Sequence, residues 1–152
     1  KPEHLAVFDC SFKAAKGTWK CTGTAMMATG MEPIKATVTN RLDASLSKAW
    51  IVSTFKQTGK KDGFAFTSYR TFDGKIWHNV MVDNMGSLER GEGKFEGNKS
   101  TWDATGYGGP MGPAKTRHYE EMTSAKEQKM WGEFSMDGGK TYTKMYEMVC
   151  KK

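Results

Sequence analysis

The side chains best suited to chemistry in this sequence are acidic, basic and phenolic groups on short strand-like segments: Asp83, Arg117, Tyr119, Glu133 and Glu147. A buried arginine requires a carboxylate partner, which favours an internal pair between Arg117 and one of these acids. An inward guanidinium can also hold a ligand carboxylate or phosphate by its planar fork. The alternative is that Arg117, Tyr119 and Glu121 form a solvent-exposed stripe, and the spacing fits both.

Catalytic motifs are absent from the sequence. There is no G-x-S-x-G elbow, no H-E-x-x-H pair and no phosphate-binding loop. His78 and His118 are isolated residues of predicted strands, where histidines are usually surface or core residues. Cys21 has no nearby base to activate a thiol. We therefore expect a protein without enzyme activity and name no catalytic residues.

Residues 76–93 form the stretch with the most unusual pattern. Side chains alternate between the two faces of a strand, and here one face carries Trp77, Asn79, Met81, Asp83 and Met85. A strand between a dry core and water should separate apolar from polar residues, and this strand does not. The mixture predicts a partly wet internal cavity.

Methionine is unusually frequent, with 11 residues in the chain. Thioethers suit soft metals such as Cu(I), but Met81 and Met85 would stand about 13 Å apart on a strand. We therefore predict no metal site. Methionine suits either an adaptable cavity wall or a gap-filling core. The predicted ligand-binding residues are Trp50, Trp77, Met81, Asp83, Met85, Trp102, Arg117 and Tyr119.

The elements that must position these residues are short β-rich runs separated by turn signals every 10–15 residues. The predicted strands are 17–28, 34–43, 48–56, 63–72, 76–84, 86–95, 99–106, 114–123, 127–136 and 141–150. Short connections make sequence neighbours antiparallel sheet neighbours, and closure removes two exposed edges. We predict an all-β, up-and-down antiparallel barrel of about ten strands in which the first strand pairs with the last.

One helix precedes the strands. Residues 2–15 carry Leu5, Phe8, Phe12 and Ala15 at helical spacing, and Gly17 is a stop signal. A single helix with one narrow apolar stripe must pack on the rest of the fold. We predict that it covers one mouth of a single barrel domain over residues 1–152, with the barrel itself in residues 17–150.

The five tryptophans are regularly spaced: Trp19, Trp50, Trp77, Trp102 and Trp131. Each lies early in an odd-numbered predicted strand, and the odd strands of a meander run the same way. The spacing predicts a tryptophan layer at one end of the barrel, close to the helix. These rings are either a core plug or a pocket wall.

Three cysteines, Cys10, Cys21 and Cys150, form no CxxC motif. The odd count permits one disulfide and one free thiol, and we expect either a bridge from Cys10 to Cys150 or none. The chain starts at Lys1 rather than Met. A processed chain is the simplest interpretation, so we expect a periplasmic or secreted protein.

Charge and hydropathy exclude some classes of partner. The net charge is +6, but the lysines are scattered over turns and no basic helix or long basic run exists, so we expect no nucleic-acid binding. Mean hydropathy is −0.65 and no apolar run approaches the roughly 18 residues of a membrane helix, so we expect no membrane span.

Several motifs together resemble a known family. They are Gly17-Thr18-Trp19, Phe72-Asp73, the run from Trp77 to Gly86, Gly108-Gly109-Pro110-Met111 followed by Arg117, Asp137-Gly138-Gly139-Lys140, and Glu147. In order and spacing, over residues 5–152, they are similar to small, often exported bacterial proteins classed as a domain of unknown function. That family is grouped with the calycins, the lipocalin and fatty-acid-binding-protein barrels. The resemblance implies a barrel with an internal cavity and implies no reaction.

These observations favour a binding protein that holds a small apolar or amphipathic molecule. A molecule with an anionic head group would also fit this prediction. The first alternative is a barrel filled by its own side chains that acts as a structural or interaction protein. The less favoured alternative is an enzyme or a metal or haem carrier. The sequence identifies no cofactor, ligand or oligomeric state.

Overall fold

The computed structural model describes residues 3–108 and 112–152, with side chains from residue 5 onward. Gly109, Pro110 and Met111, which belong to the family-like motif, and Pro2 at the predicted helix start lie outside the described residues. The helix α1 spans Glu3–Ala15. Its end is marked by Gly17, whose φ of 98° is in the left-handed region that glycine adopts at low cost.

The strands are β1 (Gly17–Met27), β2 (Gly30–Leu42), β3 (Ile51–Gln57), β4 (Ala65–Phe72), β5 (Trp77–Asp83), β6 (Leu88–Glu96), β7 (Lys99–Tyr107), β8 (Ala114–Ser124), β9 (Glu127–Ser135) and β10 (Thr143–Lys151). A short 3-10 turn, Ala44–Leu46, precedes β3. Every strand pairs antiparallel with its sequence neighbour, and β1 also pairs with β10 to close the barrel. The predicted ten-stranded up-and-down barrel is confirmed.

The closing seam carries the disulfide. Cys21 of β1 lies directly opposite Cys150 of β10, and the two cysteines are bonded across 129 residues of sequence. The expected bridge from Cys10 to Cys150 is wrong. Cys10 lies on an exposed part of α1 and is a free thiol, whereas Cys21 shares the inward face with Cys150. The bridge joins the first strand to the last rather than the helix to the last strand.

The helix covers one mouth of the barrel, as predicted. Phe8 is buried and stacks on Trp77, with ring centroids 6.0 Å apart. The carbonyl oxygen of Ala15 accepts hydrogen bonds of 2.8 Å from Trp19 Nε1 and from Asn40 Nδ2. These bonds satisfy an otherwise unpaired carbonyl at the helix end and fix α1 to β1 and β2.

Four of the five tryptophans follow the predicted layer. Trp19, Trp77 and Trp102 are buried towards the helix-covered end, and Trp50 directly precedes β3 at the same end. Trp131 departs from the layer because its phase in β9 is outward, opposite Tyr119 of β8. Among the described helices, none is long and apolar enough to cross a membrane.

Candidate functional site

The barrel interior has two chemically different sides. Inward residues of β1, β2, β3 and β10 form an apolar side: Trp19, Cys21, Ile34, Ala36, Val38, Phe55, Met148 and Cys150. The register of β4 to β9 places polar residues on the same inward face: Arg70, Asn79, Glu89, Thr116, His118, Glu120 and Gln128. We call these seven residues the polar cluster. The interior is therefore amphipathic.

Arg70 and Glu120 form the first part of the polar cluster. Arg70 Nη1 and Nη2 donate to the two carboxylate oxygens of Glu120 at 3.2 and 2.5 Å. Gln128 Nε2 donates to Glu120 Oε2 at 3.1 Å, and Arg70 Nε donates to Asn79 Oδ1 at 3.4 Å. The paired fork is the strong geometry for an arginine–carboxylate interaction, so the pair links β4 to β8 across the interior.

Opposing effects act on the Glu120 carboxyl group. Burial by itself would raise its pKa, but the charge of Arg70 and its hydrogen bonds outweigh burial and hold the pKa of Glu120 below its usual range. Glu120 therefore remains ionised at neutral pH.

Glu89, Thr116 and His118 form the second part, and Tyr146 extends it. Thr116 Oγ1 donates to Glu89 Oε1 at 2.7 Å, and His118 Nε2 lies 2.5 Å from the same oxygen. A carboxylate only accepts, so Nε2 carries the proton. His118 Nδ1 lies 2.8 Å from the Tyr146 hydroxyl and accepts its hydrogen when the imidazole is neutral.

Burial and nearby charges also shift the pKa values of Glu89 and Tyr146. Burial alone would raise the pKa of Glu89, but hydrogen bonding and charge from His118, with a hydrogen bond from Thr116, lower the pKa overall. Burial raises the pKa of Tyr146, and the nearby carboxylates Glu120 and Glu89 raise it further. At neutral pH the Tyr146 phenol is a neutral hydrogen-bonding group beside an ionised Glu89.

Glycines at inward positions make room for the large side chains. A Cβ on Gly93 would stand 2.3 Å from the Trp102 ring. A Cβ on Gly132 would stand 2.5 Å from the Tyr146 ring and 3.0 Å from His118 Nδ1. The absence of side chains at these two positions allows Trp102 to lie inside and Tyr146 to reach His118.

Several inward side chains keep some accessible surface. Arg70, His118 and Glu120 point inward, yet their side chains are 22%, 19% and 15% exposed. Apolar residues packed against the core are also only partly buried: Met27, Phe64, Phe66, Met122 and Met130. These inward groups are therefore not completely enclosed by neighbouring side chains.

The helix-covered end is closed by an aromatic plug formed by Phe8, Ile51, Trp77 and Trp102, with Phe12, Leu42 and Phe72 packed around it. Trp77 and Trp102 meet edge to face at 6.5 Å between centroids. Two of the predicted ligand-binding residues, Trp77 and Trp102, thus belong to the plug. Trp102 also forms the floor under Arg70, whose guanidinium carbon lies 3.8 Å from the ring centroid.

The other predicted residues of β5 have separate places. Met81 faces inward and is half-buried. Asp83 has the inward phase, but its Oδ1 accepts from the amides of Met85 and Ser87, so its carboxylate closes the turn to β6. Met85 lies in that turn and is 55% exposed, so it is not on the inward face of the strand where the sequence pattern predicted it. Trp50 is half-buried outside the strands and is not among the inward residues.

Arg117 and Tyr119 lie on the outer face, which corrects their predicted inward placement. Arg117 pairs with Asp103 at 3.1 Å and covers the Tyr142 ring, and Tyr119 stacks on Trp131 at 5.3 Å. The pairing with β7 determines which residues of β8 face inward. Trp102 of β7 faces inward and is paired with His118, so His118 faces inward and Arg117 and Tyr119 face outward. The stripe of Arg117, Tyr119 and Glu121 is therefore the outer one.

Sequence reasoning missed Arg70, Glu89, His118 and Glu120 as a group. The inward phase of β6 gives a signal, because Glu89, Gly91 and Gly93 alternate with outward charged residues. The glycine at inward position 93 indicates a large neighbour, which is Trp102. Because Trp102 faces inward, it determines which face of β7 is the inward one. The register between β7 and β8 then determines the inward face of β8.

Two grooves lie on the outside of the barrel wall. One, of about 350 Å³, crosses β1, β9 and β10 near Thr22, Trp131 and Glu147. The other, of about 750 Å³, crosses β6, β7 and β8 near Arg90, Asp103 and Arg117. Neither groove borders Arg70 or His118. In the described part of the chain, no three metal-ligating side chains lie together as a metal site would require.

Comparison with known proteins supports the fold and gives no activity. A family model described as "Protein of unknown function (DUF1579)" matches residues 10–152. No curated protein matches the chain. The solved structures that it resembles include the crystal structure of Rv2717c from M. tuberculosis, with a TM-score of 0.69 and 14% identity over 100% of this chain and 98% of that chain. At that identity the likeness shows a shared fold alone.

Proposed function

The chain belongs to the DUF1579 family of proteins of unknown function, and within its barrel we propose a non-catalytic binding site for a small amphipathic molecule. The observation that carries this proposal is the two-sided interior. The polar cluster and the apolar side share one interior, and several of the inward side chains are partly accessible. Pockets for small ligands commonly combine apolar walls with a few polar groups that fix orientation.

The arrangement suggests how the ligand lies. The plug of Phe8, Trp77 and Trp102 closes the helix-covered end, so entry is from the opposite end, beside the turn between β5 and β6. The polar part of the ligand would lie against the polar cluster. The apolar part would contact Phe66, Met122 and Met130, where methionine adapts to ligand shape.

The proposal includes no reaction. Glu89, His118 and Tyr146 form a chain of the type used for proton transfer, but all three form hydrogen bonds within the cluster. We propose that these three hydrogen-bonded side chains position the ligand. We also propose a periplasmic or secreted location, which the disulfide Cys21–Cys150 supports, because such bonds persist in oxidising compartments.

Native mass spectrometry of the unreduced protein is the direct test. We expect extra mass that is lost on denaturation, or binding of amphipathic probes by calorimetry. Met81→Trp should fill the interior and weaken probe binding at least tenfold. Val82→Trp is the matched control, because Val82 is the next residue, has the outward phase and is 44% exposed. A bare mass with no probe binding would contradict the proposal.

That negative result would favour the second candidate, a barrel filled by its own side chains that acts as a structural or interaction protein. The observation in its favour is the density of aromatic groups at the closed end, where Trp19, Trp77 and Trp102 are all nearly fully buried. In that case Met81→Trp should destabilise the protein more than Val82→Trp, because there would be no space for the larger ring.

A further inference from the structure

The charges inside the barrel are distributed differently from those outside. The chain carries a net charge of +6. At the inward positions of the described strands, however, no lysine occurs, and Arg70 is the single arginine. Against Arg70 stand the inward carboxylates Glu89 and Glu120, with Asp83 at the open end. These three carboxylates outnumber Arg70 and His118 together, so the interior has an excess of negative charge whether or not His118 carries a proton on both nitrogens.

Arg70 is poorly placed to receive an anion. Both of its terminal nitrogens donate to Glu120, Nε donates to Asn79, and Trp102 covers one face of the guanidinium. A ligand carboxylate would have to compete with Glu120 for these donors. Displacing Glu120 would leave a buried, ionised carboxylate without its counter-charge, which is costly in a poorly solvated interior.

Glu89 has the opposite property, because it keeps an acceptor free. Its hydrogen bonds from Thr116 and His118 both end on Oε1, and no described residue donates to Oε2. Every buried side-chain nitrogen or oxygen among the described residues has a partner, so the unpaired Oε2 reaches accessible space. The oxygen is on an inward residue, and it offers a negative acceptor to a ligand.

Other inward side chains also suit a cation better than an anion. Tyr146 and Phe66 present aromatic side chains to the interior, and Met81 faces Glu89 in the register of β5 and β6. Aromatic faces attract ammonium groups through the negative face of the ring, and thioethers are polarisable. A carboxylate gains neither of these contacts.

We propose that the interior binds an amphipathic amine, with its ammonium group at Glu89 Oε2 and its alkyl tail along the apolar side, in preference to the corresponding fatty-acid anion. This inference rests on the proposed ligand-binding function and names the chemical class of the ligand. The net positive charge of the whole protein would favour the anion through non-specific attraction. A preference for the amine must therefore come from the inward side chains, such as Glu89, and not from the net charge of the protein.

Three probes with the same ten-carbon tail separate the effects: n-decylammonium, decanoate and n-decanol. Each is titrated by calorimetry into the unreduced full chain at pH 7, below the concentration at which the probe aggregates. We expect decylammonium to bind at least tenfold more tightly than decanoate, with decanol between them. Ethylammonium distinguishes a small amine from an amphipathic one, and we expect it to bind at least tenfold more weakly than decylammonium.

Glu89→Gln removes the charge and keeps the shape of the side chain. It should weaken decylammonium binding at least tenfold and change decanol binding less than twofold. The control is Glu92→Gln, on the same strand with the outward phase, which should change neither affinity. Circular dichroism verifies folding, and the comparison of the probes on the unmutated chain holds even if Glu89→Gln does not fold.

The outcomes separate this inference from the function on which it rests. If decanol and decanoate bind and decylammonium has no preference, the site exists and the assignment to amines is wrong. Equal weakening by Glu89→Gln and Glu92→Gln would also overturn it, because the effect would be one of total charge. If none of the probes binds, the binding function fails as well.

Discussion

Arg70 and Glu120 face each other across the barrel interior, on strands β4 and β8 that are not neighbours in the sheet. Trp102 of β7 covers the guanidinium at 3.8 Å from its ring centroid. The pair therefore ties two parts of the wall together from inside, in addition to the backbone bonds around the barrel. Its partial burial, with side chains 22% and 15% exposed, makes it sensitive to the loss of either partner.

We expect Arg70→Met to lower the free energy of unfolding by about 3–5 kcal/mol, because Glu120 would remain inside without its counter-charge. Urea denaturation followed by circular dichroism measures the change. The exposed pair Arg117–Asp103 supplies the control, and Arg117→Met should cost about 1 kcal/mol or less. The double variant Arg70→Met/Glu120→Leu should recover much of the loss. Similar losses for the two single variants would contradict an internal role for Arg70.

Acid should destabilise the barrel through Glu89 and Glu120. The folded state lowers the pKa of both carboxyl groups. Their contribution to stability is therefore complete above the pKa of the unfolded chain and is lost as the pH falls through the lower folded pKa. Unfolding free energies from urea titrations at pH 7, 5, 4 and 3 should decline below about pH 5. Glu120→Gln should flatten this decline, while Glu92→Gln should keep the slope of the unmutated protein.

Removing the disulfide should cost about 4–5 kcal/mol by the loop-entropy relation, because it closes almost the whole chain. The double variant Cys21→Ala/Cys150→Ala is compared by urea denaturation with Cys10→Ala, which should be unchanged because Cys10 is an exposed free thiol. A thiol assay on the denatured, unreduced protein should give one free thiol. Three free thiols would contradict the bond.

A methyl group at Gly132 should disturb the polar cluster. The new Cβ of Gly132→Ala would stand 2.5 Å from the Tyr146 ring and 3.0 Å from His118 Nδ1, so one of these side chains must move. We expect a loss of about 1–3 kcal/mol in the free energy of unfolding. Gly106→Ala is the matched control, another inward glycine whose Cβ would meet nothing closer than 3.7 Å. If Gly106→Ala costs as much, steric contact with Tyr146 is not the reason.

The strand order and the helix were predictable because their signals are local. Turn residues marked all ten strands, with glycine or aspartate at every turn except the one between β8 and β9, and short connections left an antiparallel meander as the simple arrangement. Closure followed from the hazard of two free edges. Phe8 at helical spacing with Phe12 indicated the face of α1 that now covers the mouth.

The site was harder to predict because the sequence of a strand does not by itself determine which of its two faces points into the barrel. In β8 both faces mix charged and aromatic groups, so Arg117 and Tyr119 were as plausible inside as His118 and Glu120. A shift of one residue exchanges the faces of a whole strand. Trp102 on the neighbouring strand determines which face of β8 is inward. The sequence of β8 alone does not contain that information. For the same reason Cys10 was a plausible partner of Cys150, until the register placed Cys21 opposite it.

The bond between Cys21 and Cys150 also decides how the molecule responds to mechanical force. A pull applied to the two chain ends is transmitted through the disulfide, so the β-strands between residues 21 and 150 carry almost no load. An optical-tweezers experiment on the oxidised protein would extend only α1 and the start of β1. After reduction, the same pull would act on the seam between β1 and β10, and the whole barrel would unravel.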